Sequence, residues 1–508
     1  MLATVNTLVI TGIEAQAVKV EVDLMTGLPD FILVGLAQAA LKEARERVKS
    51  AIKNSGYEFP NRKIIVNLAP ADLKKEGSHF DLAIALGILL ASEQLLQPLD
   101  PGLYFAGELS LDGSLRPVPG VLAMCLELLK SLADCAFIIP PGNSQEASLV
   151  SEVRSLTAGN LREVCAYLDK SAELDPASSD ETVPAGGSIP DFAEVKGQET
   201  AKRGIQVAAA GSHNILLIGP PGGGKTMLAR RMPGIMPEMT RAEVLETTRI
   251  YSVAGLLNPD HPLIDTHPFR APHKNASSAS IIGGGRIPRP GEISLAQNGV
   301  LFLDEFPEFS RDVLEALRQP LEDKVVTVAR AQATHTYPAD FLLVAAMNPC
   351  NCGFWGSELE CTCTPLQIQR YLGRISGPLL DRMDLHIEVP RVNYEQLRER
   401  GQGESSAAMR EKVIRAREMQ KKRFARHKIK LNSQMRPAEV KRYCRLDDES
   451  EMLLKNAFDK LKMSARAYDR ILKVARTVAD MEAADNIQLQ HLGEALQYRS
   501  LDRKYWRN

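Results

Sequence analysis

After the apolar run Ile215–Ile218 the chain reads Gly-Pro-Pro-Gly-Gly-Gly-Lys-Thr from Gly219 to Thr226, and helix-forming residues follow. A glycine loop between a buried strand and a helix turns its backbone N–H groups toward one point, where they can wrap a chain of phosphates. Side chains at Gly222, Gly223 or Gly224 would block that approach, while Gly219, Pro220 and Pro221 complete the loop. Lys225 can reach the β- and γ-phosphates of a nucleotide, and the Thr226 hydroxyl is placed to coordinate Mg²⁺. A loop of this kind demands an open α/β sheet with the loop at the carboxyl edge of a parallel strand.

A second element, Val300–Leu303 followed by Asp304 and Glu305, reads as a strand buried on both faces that delivers two carboxylates to the same edge. Asp304 is expected to hold Mg²⁺ through water. Glu305 is expected to polarise an attacking water, because phosphoryl transfer relies on positioning and electrostatics and a carboxylate is the base at hand. The two elements together predict nucleotide hydrolysis with ATP and Mg²⁺ as cofactors.

Length and composition set limits. The chain has 508 residues and a formal net charge of -1, so no overall basic excess announces nucleic acid and any such surface must be local. Its eight cysteines are too sparse for a disulfide framework. The amino terminus lacks the basic start and apolar stretch of a secretory signal, and the run Leu82–Ala91 is too short for a bilayer span and reads as a buried helix. A soluble cytoplasmic protein without membrane partners is the expectation.

Residues 1–170 alternate strand-like and helix-like pieces, including Ala17–Leu24, Phe31–Val34, Ala39–Ser55 and Lys63–Leu68, and predict an α/β or α+β domain. Residues 171–188 are rich in Ser, Asp, Pro and Gly and read as a linker. An ATPase core is expected over 189–390, with Phe341–Pro349 and Leu385–Pro390 as further strands, and an α-helical domain over 391–508.

Several motifs extend this picture: DFAEVKGQ before the loop, PFRAPHKNASSASIIGGGRIPRPGEISLAQNGVLFLDE, AAMNPCNCG, GPLLDRMDLHIEVP and SARAYDRILKVARTVAD. Through them the chain closely resembles the magnesium-chelatase-like AAA+ ATPases over nearly its whole length. The resemblance implies a homo-oligomeric ring, a hexamer in kind, with active sites between neighbouring subunits. It also implies a helicase that drives branch migration while transforming DNA is integrated. It casts Asn348 as the polar sensor that orients the attacking water and Arg470 as a second sensor on the C-terminal lid. Arg382 becomes the finger that enters a neighbour's site, with Arg374 as the competing candidate.

The first domain resembles the Lon-protease-like, ribosomal-S5-type fold through KEGSHFDLAIALGIL and AGELSLDGSLRPVPG. It departs from the protease where chemistry would be needed: His79 stands at the nucleophile's place with Ser78 one position early, and Leu122 stands in place of the lysine base. A non-proteolytic module is therefore expected.

Cys350, Cys352, Cys361 and Cys363 form two Cys-x-Cys pairs on either side of a short loop, a donor set suited to tetrahedral zinc. Redox-active thiols and an unliganded cluster are the other readings. The segment Arg270–Arg289 reads as a mobile basic loop, and Val325–Arg330 with Ala333–Tyr337 as a hairpin. Lys274, Arg286, Arg289 and Arg330 are the candidates for sequence-independent contact with DNA, single-stranded, duplex or branched. The run Lys421–Lys430 adds a basic stretch, and no base-reading motif accompanies it. A chelatase-type subunit, or an ATPase that remodels a protein partner, is the alternative.

Overall fold

The computed structural model describes the chain except residues 1, 35–37, 71–76, 96–98, 132–134, 179–188, 259–261, 286–288, 331–332, 393–402, 462 and 507–508. The side chains of Gln38–Lys42, Arg330, Ala333, Leu461 and Arg503 also lie outside the description. Two compact units result: Met1–Gly186 with Arg241–Ile264, and Gly187–Thr240 with Asp265–Asn508.

The first unit is built on a mixed eight-stranded sheet. Strands Leu2–Thr11, Glu14–Met25 and Lys63–Ala69 pair antiparallel, shorter strands extend the sheet in parallel on both sides, and Asp175–Pro176 closes one edge antiparallel to Arg154–Thr157. Alternate residues of Glu14–Met25, among them Val18, Val20 and Val22, are buried against the helix Asp81–Ala91. That helix is the run read from sequence as buried, and all eleven of its residues are. The opposite side of the sheet packs on the helix Val121–Ser131. A further helix, Arg241–Ala254, lies in chain order between the P-loop and the strand Val300–Leu303 that leads to Asp304 and Glu305, yet it joins this unit. Its Ser252 hydroxyl donates to the buried Glu146 carboxylate, which also accepts from the Leu122 N–H at 2.8 Å.

The second unit carries an all-parallel five-stranded sheet in the order Phe269–Arg270, Val300–Leu303, Leu342–Met347, Ile215–Ile218, Leu385–Glu388. The three central strands are buried throughout, as expected where helices cover both faces. Every strand ends at the same edge, so Gly219, Asp304 and Asn348 emerge together.

The helical segment from Ser406 onward shares one apolar core with this sheet. Arg417 and Gln420 of the helix Ser406–Arg423 donate to the carbonyls of Ala209 and Ala210, which end the helix Glu199–Gly211. The amphipathic helix Ala465–Met481 follows, N-capped by Ser464. No described helix is long and apolar enough to cross a membrane.

Candidate functional site

The P-loop leaves its strand with Gly219 beneath Val389: a Cβ at Gly219 would stand 2.0 Å from the Val389 carbonyl oxygen, so no larger residue fits. Gly222 and Gly224 have φ of 78° and 89°, in the left-handed region, and Gly224 leads into the helix Lys225–Arg231. The Gln198 amide ties this loop to the edge strand by donating to the carbonyls of Gly223, at 3.2 Å, and Pro390, at 2.6 Å. Pro220 and Pro221 fill the turn between the strand and these glycines.

Lys225 is buried and its ammonium donates to the carbonyls of Gly219 (2.6 Å) and Pro220 (3.0 Å) and to Asn348 Oδ1 (3.1 Å). Burial lowers its pKa, against the pull of Asp304. The Thr226 hydroxyl donates to Asp304 Oδ2 at 2.7 Å, so two hard oxygen donors suited to Mg²⁺ sit side by side. Glu305, exposed and in a left-handed backbone conformation, forms an ion pair with Lys274 at 2.5 Å. The structure thus brings Lys225, Thr226, Asp304, Glu305, Asn348 and Lys274 to one edge.

The arginines lie elsewhere. The Asp384 N–H donates to the carbonyl of Asn214, which places Asp384 at the opening end of the P-loop strand. Five residues at ~3.3 Å each separate that end from Gly219, roughly 16 Å. Arg470 is ion-paired with Asp384 and cannot reach its own cradle from there. Arg382 is buried at the same edge, donating to Pro378 O at 2.6 Å and to the Glu322 carboxylate, while its Nε meets no acceptor among the described residues. Burial and the nearby cations of Arg318, Arg466 and Arg470 lower its pKa against the pull of Glu322. Arg374, the competing candidate, is exposed and paired with Glu308 at 2.5 Å. The sequence reading passed over Arg318 and Arg466; Arg466 stands in the same motif as Arg470, whereas Arg318 carries no local signal.

Asp384 anchors this edge. Burial alone would raise its pKa, but Arg470 and the His213 ring, 3.1 Å away, hold the carboxyl well below the usual range. The other nitrogen of His213 meets the Thr477 hydroxyl at 2.8 Å.

The four cysteines converge. Their sulfurs lie within 4.8 Å of one another, with separations of 3.3 Å for Cys350–Cys352, 3.5 Å for Cys352–Cys361 and 3.7 Å for Cys350–Cys361. A tetrahedron of sulfurs each ~2.3 Å from a zinc ion has edges of about 3.8 Å, so the set fits one metal ion. N–H groups of Trp355 and Cys352 point at the sulfurs of Cys350 and Cys363, both at 3.4 Å. Desolvation would raise the Cys352 thiol, but hydrogen bonds from the Phe354 backbone and Cys350 bring it down to about 6.

The basic segment Arg270–Arg289 is more structured than its sequence suggests. Arg270 is clamped by two bonds to Glu292 (2.7 and 2.8 Å), and a short helix, Ser278–Ile282, buries Ile281. Arg289 is exposed on the ribbon that pairs Gly283–Gly284 with Arg289–Pro290. Arg286 lies outside the described residues, and of Arg330 only the backbone, ending one strand of an antiparallel hairpin, is described. In the run Lys421–Lys430, Arg423 is ion-paired with Asp480 and Phe424 is buried, which removes both from any phosphate-facing surface. In the first unit the Ser78 hydroxyl donates to Glu108, His79 is buried against Phe80, and Leu122 lies in the core.

A parallel sheet with the P-loop strand between the Asn348 strand and the edge strand, and a carboxylate pair one strand beyond Asn348, defines an AAA+ type P-loop ATPase core. The family model described as magnesium chelatase, subunit ChlI, matches residues 191–397, with companion models for subunit ChlI of Mg-chelatase at 20–143 and the ChlI C-terminal region at 403–499. The chain is 47% identical over 498 residues to the competence protein ComM of Haemophilus influenzae, covering 97% of this chain and 96% of that one. It is 46% identical over 506 residues to the protein YifB of Salmonella typhimurium, covering 99% and 98%. To the magnesium-chelatase 67 kDa subunit of Chlorobaculum parvum it is 25% identical over 162 residues, 31% of this chain and 23% of that one. The chain belongs to the magnesium-chelatase-like ComM family of AAA+ ATPases.

Proposed function

We propose that the protein is an ATP-driven ring motor that acts on DNA, a helicase promoting branch migration while transforming DNA is recombined. Full-length similarity to a relative named as a competence protein supports the setting. The observation that carries the mechanism is the ion pair between Lys274 and Glu305. Lys274 belongs to the basic segment offered to DNA, and Glu305 is the base offered to hydrolysis. A phosphate that takes Lys274 away releases the carboxylate to polarise water, so a DNA strand and ATP turnover share one switch.

In this reading Lys225 leaves its loop carbonyls for the β- and γ-phosphates, and the amides of Gly222, Gly223 and Gly224 wrap them. Thr226 and Asp304 hold Mg²⁺, which would neutralise charge on the phosphates. Asn348, already bonded to Lys225, aligns the water. Arg382, with Arg470 and Arg466 beside it, sits too far from its own cradle to serve it and would complete the site of the next subunit in a hexameric ring. The four thiolates of Cys350, Cys352, Cys361 and Cys363 hold zinc. Arg289, Arg286 and Arg330 would line the DNA path with Lys274, binding backbone phosphates without sequence preference.

ATPase assays with and without single-stranded and four-way-junction DNA test the proposal. The wild-type rate should rise with DNA, whereas Lys274→Ala should show a raised basal rate and a blunted DNA response. A rate indifferent to every DNA form and raised only by a protein partner would refute the DNA reading.

A further inference from the structure

The cysteine cluster meets the nucleotide cradle through backbone packing. Asn348, Pro349 and Cys350 are consecutive, so the residue that bonds Lys225 is two positions from the first sulfur. The chain then turns, with the Gly353 N–H donating to Cys350 O at 3.0 Å and φ of 87° at Gly353. A Cβ on Gly353 would lie 2.6 Å from Pro221 Cδ and 3.8 Å from Asn348 Cγ, so this turn rests directly on the P-loop. Trp355 then packs edge-on to Tyr505, ring centroids 5.3 Å apart, fastening the far limb of the loop to the C-terminal helix Leu501–Tyr505.

Behind this contact lies slack. Gly219, Pro220, Pro349, Trp355 and Tyr505 share the wall of a cavity of about 240 Å³, room into which the P-loop can shift if the turn withdraws. The turn itself has no regular secondary structure between Cys350 and Cys363. Without an ion, close-set thiols have little to hold them together and thiolates repel; with one, metal binding supplies the ordering energy.

We infer that the four-thiolate centre is a brace for the nucleotide cradle. The bound ion fixes the Cys350–Gly353 turn against Pro221 and so sets the positions of the P-loop and Asn348, with Gly353 and Trp355 as positioning residues. The inference rests on the metal reading above, and it predicts that nucleotide affinity depends on a metal that touches no nucleotide.

Zinc content of the full-length protein and equilibrium binding of a fluorescent ATP analogue, read by anisotropy, test both layers. One zinc per chain is expected. Cys361→Ser with Cys363→Ser, on the limb away from Pro221, should lose the zinc and weaken binding by a factor on the order of ten. Gly353→Val keeps all four thiols and should retain zinc yet weaken binding comparably, because its side chain displaces Pro221. Purified protein without zinc would overturn the metal reading and the brace with it. Zinc-loaded wild type together with undiminished binding in either variant would overturn the brace alone.

Discussion

Replacing Asp384 with Asn keeps the shape of the side chain and removes the charge that faces Arg470 and His213. Breaking a buried pair by deleting one charge costs about 3–5 kcal/mol, because the other is left without compensation. Arg470 retains 21% exposure and some hydration, so the lower end applies, about 3 kcal/mol. In an Arg470→Met background the same replacement should cost 1–2 kcal/mol less, roughly the coupling measured between contacting residues. The assay is favourable, since the two tryptophans, Trp355 and Trp506, both lie in the second unit and urea unfolding followed by their fluorescence reports that unit alone. The depressed carboxyl pKa fixes the pH dependence. Its stabilisation is complete above the unfolded value of about 3.9 and is lost as pH falls through the lower folded value, so wild type and variant should converge in acid. A loss under about 1 kcal/mol at pH 7, or no relief in the Arg470→Met background, would refute the view that this pair anchors the edge.

Glu305→Gln should bind ATP as tightly as wild type and hydrolyse it slower by about 10²–10⁴, the usual worth of a positioned base. Normal turnover by that variant would remove Glu305 from the chemistry. In the first unit, burial brings His79 down from 6.5 to about 4. The unfolded chain therefore takes up the proton first, and the His79 contribution alone, present above pH 6.5, should fall by about 3 kcal/mol on the way to pH 4. Asp81, raised by burial from 3.8 to about 6, acts in the opposite sense, so the His79 share is the difference in slope between wild type and His79→Leu. Rate-corrected hydrogen exchange of the helix Asp81–Ala91 reads this slope, and an unchanged slope in His79→Leu would assign it to another group.

The parts of the site that follow strands were legible in sequence. Four-residue apolar runs ending in glycine or carboxylate locate the cradle, since chain order alone sets which end of a parallel strand carries Gly219 and Asp304. The sulfur cluster was legible for a similar reason: pairs spaced by one residue converge when a single loop closes. Pairings between distant segments were not. Nothing near Lys274 in sequence announces Glu305, and nothing near Glu322 announces Arg382. The first strand, Leu2–Thr11, went unread because its apolar residues alternate imperfectly, and it is fixed by full antiparallel register with Glu14–Met25. The helix Arg241–Ala254 has mixed polarity, and only the burial of Thr247, Ile250 and Ser252 reveals where it belongs.

That helix makes the two bodies inseparable in the gene. The chain departs shortly after the P-loop helix, contributes Ser252 to a carboxylate encoded a hundred codons upstream, and returns just before the strand that leads to Lys274. A fragment ending at Gly186 would lack one of its own walls and leave Glu146 facing solvent or an empty seat. Recombination that exchanges one body for a foreign counterpart must therefore splice at three junctions, after Gly186, Thr240 and Ile264.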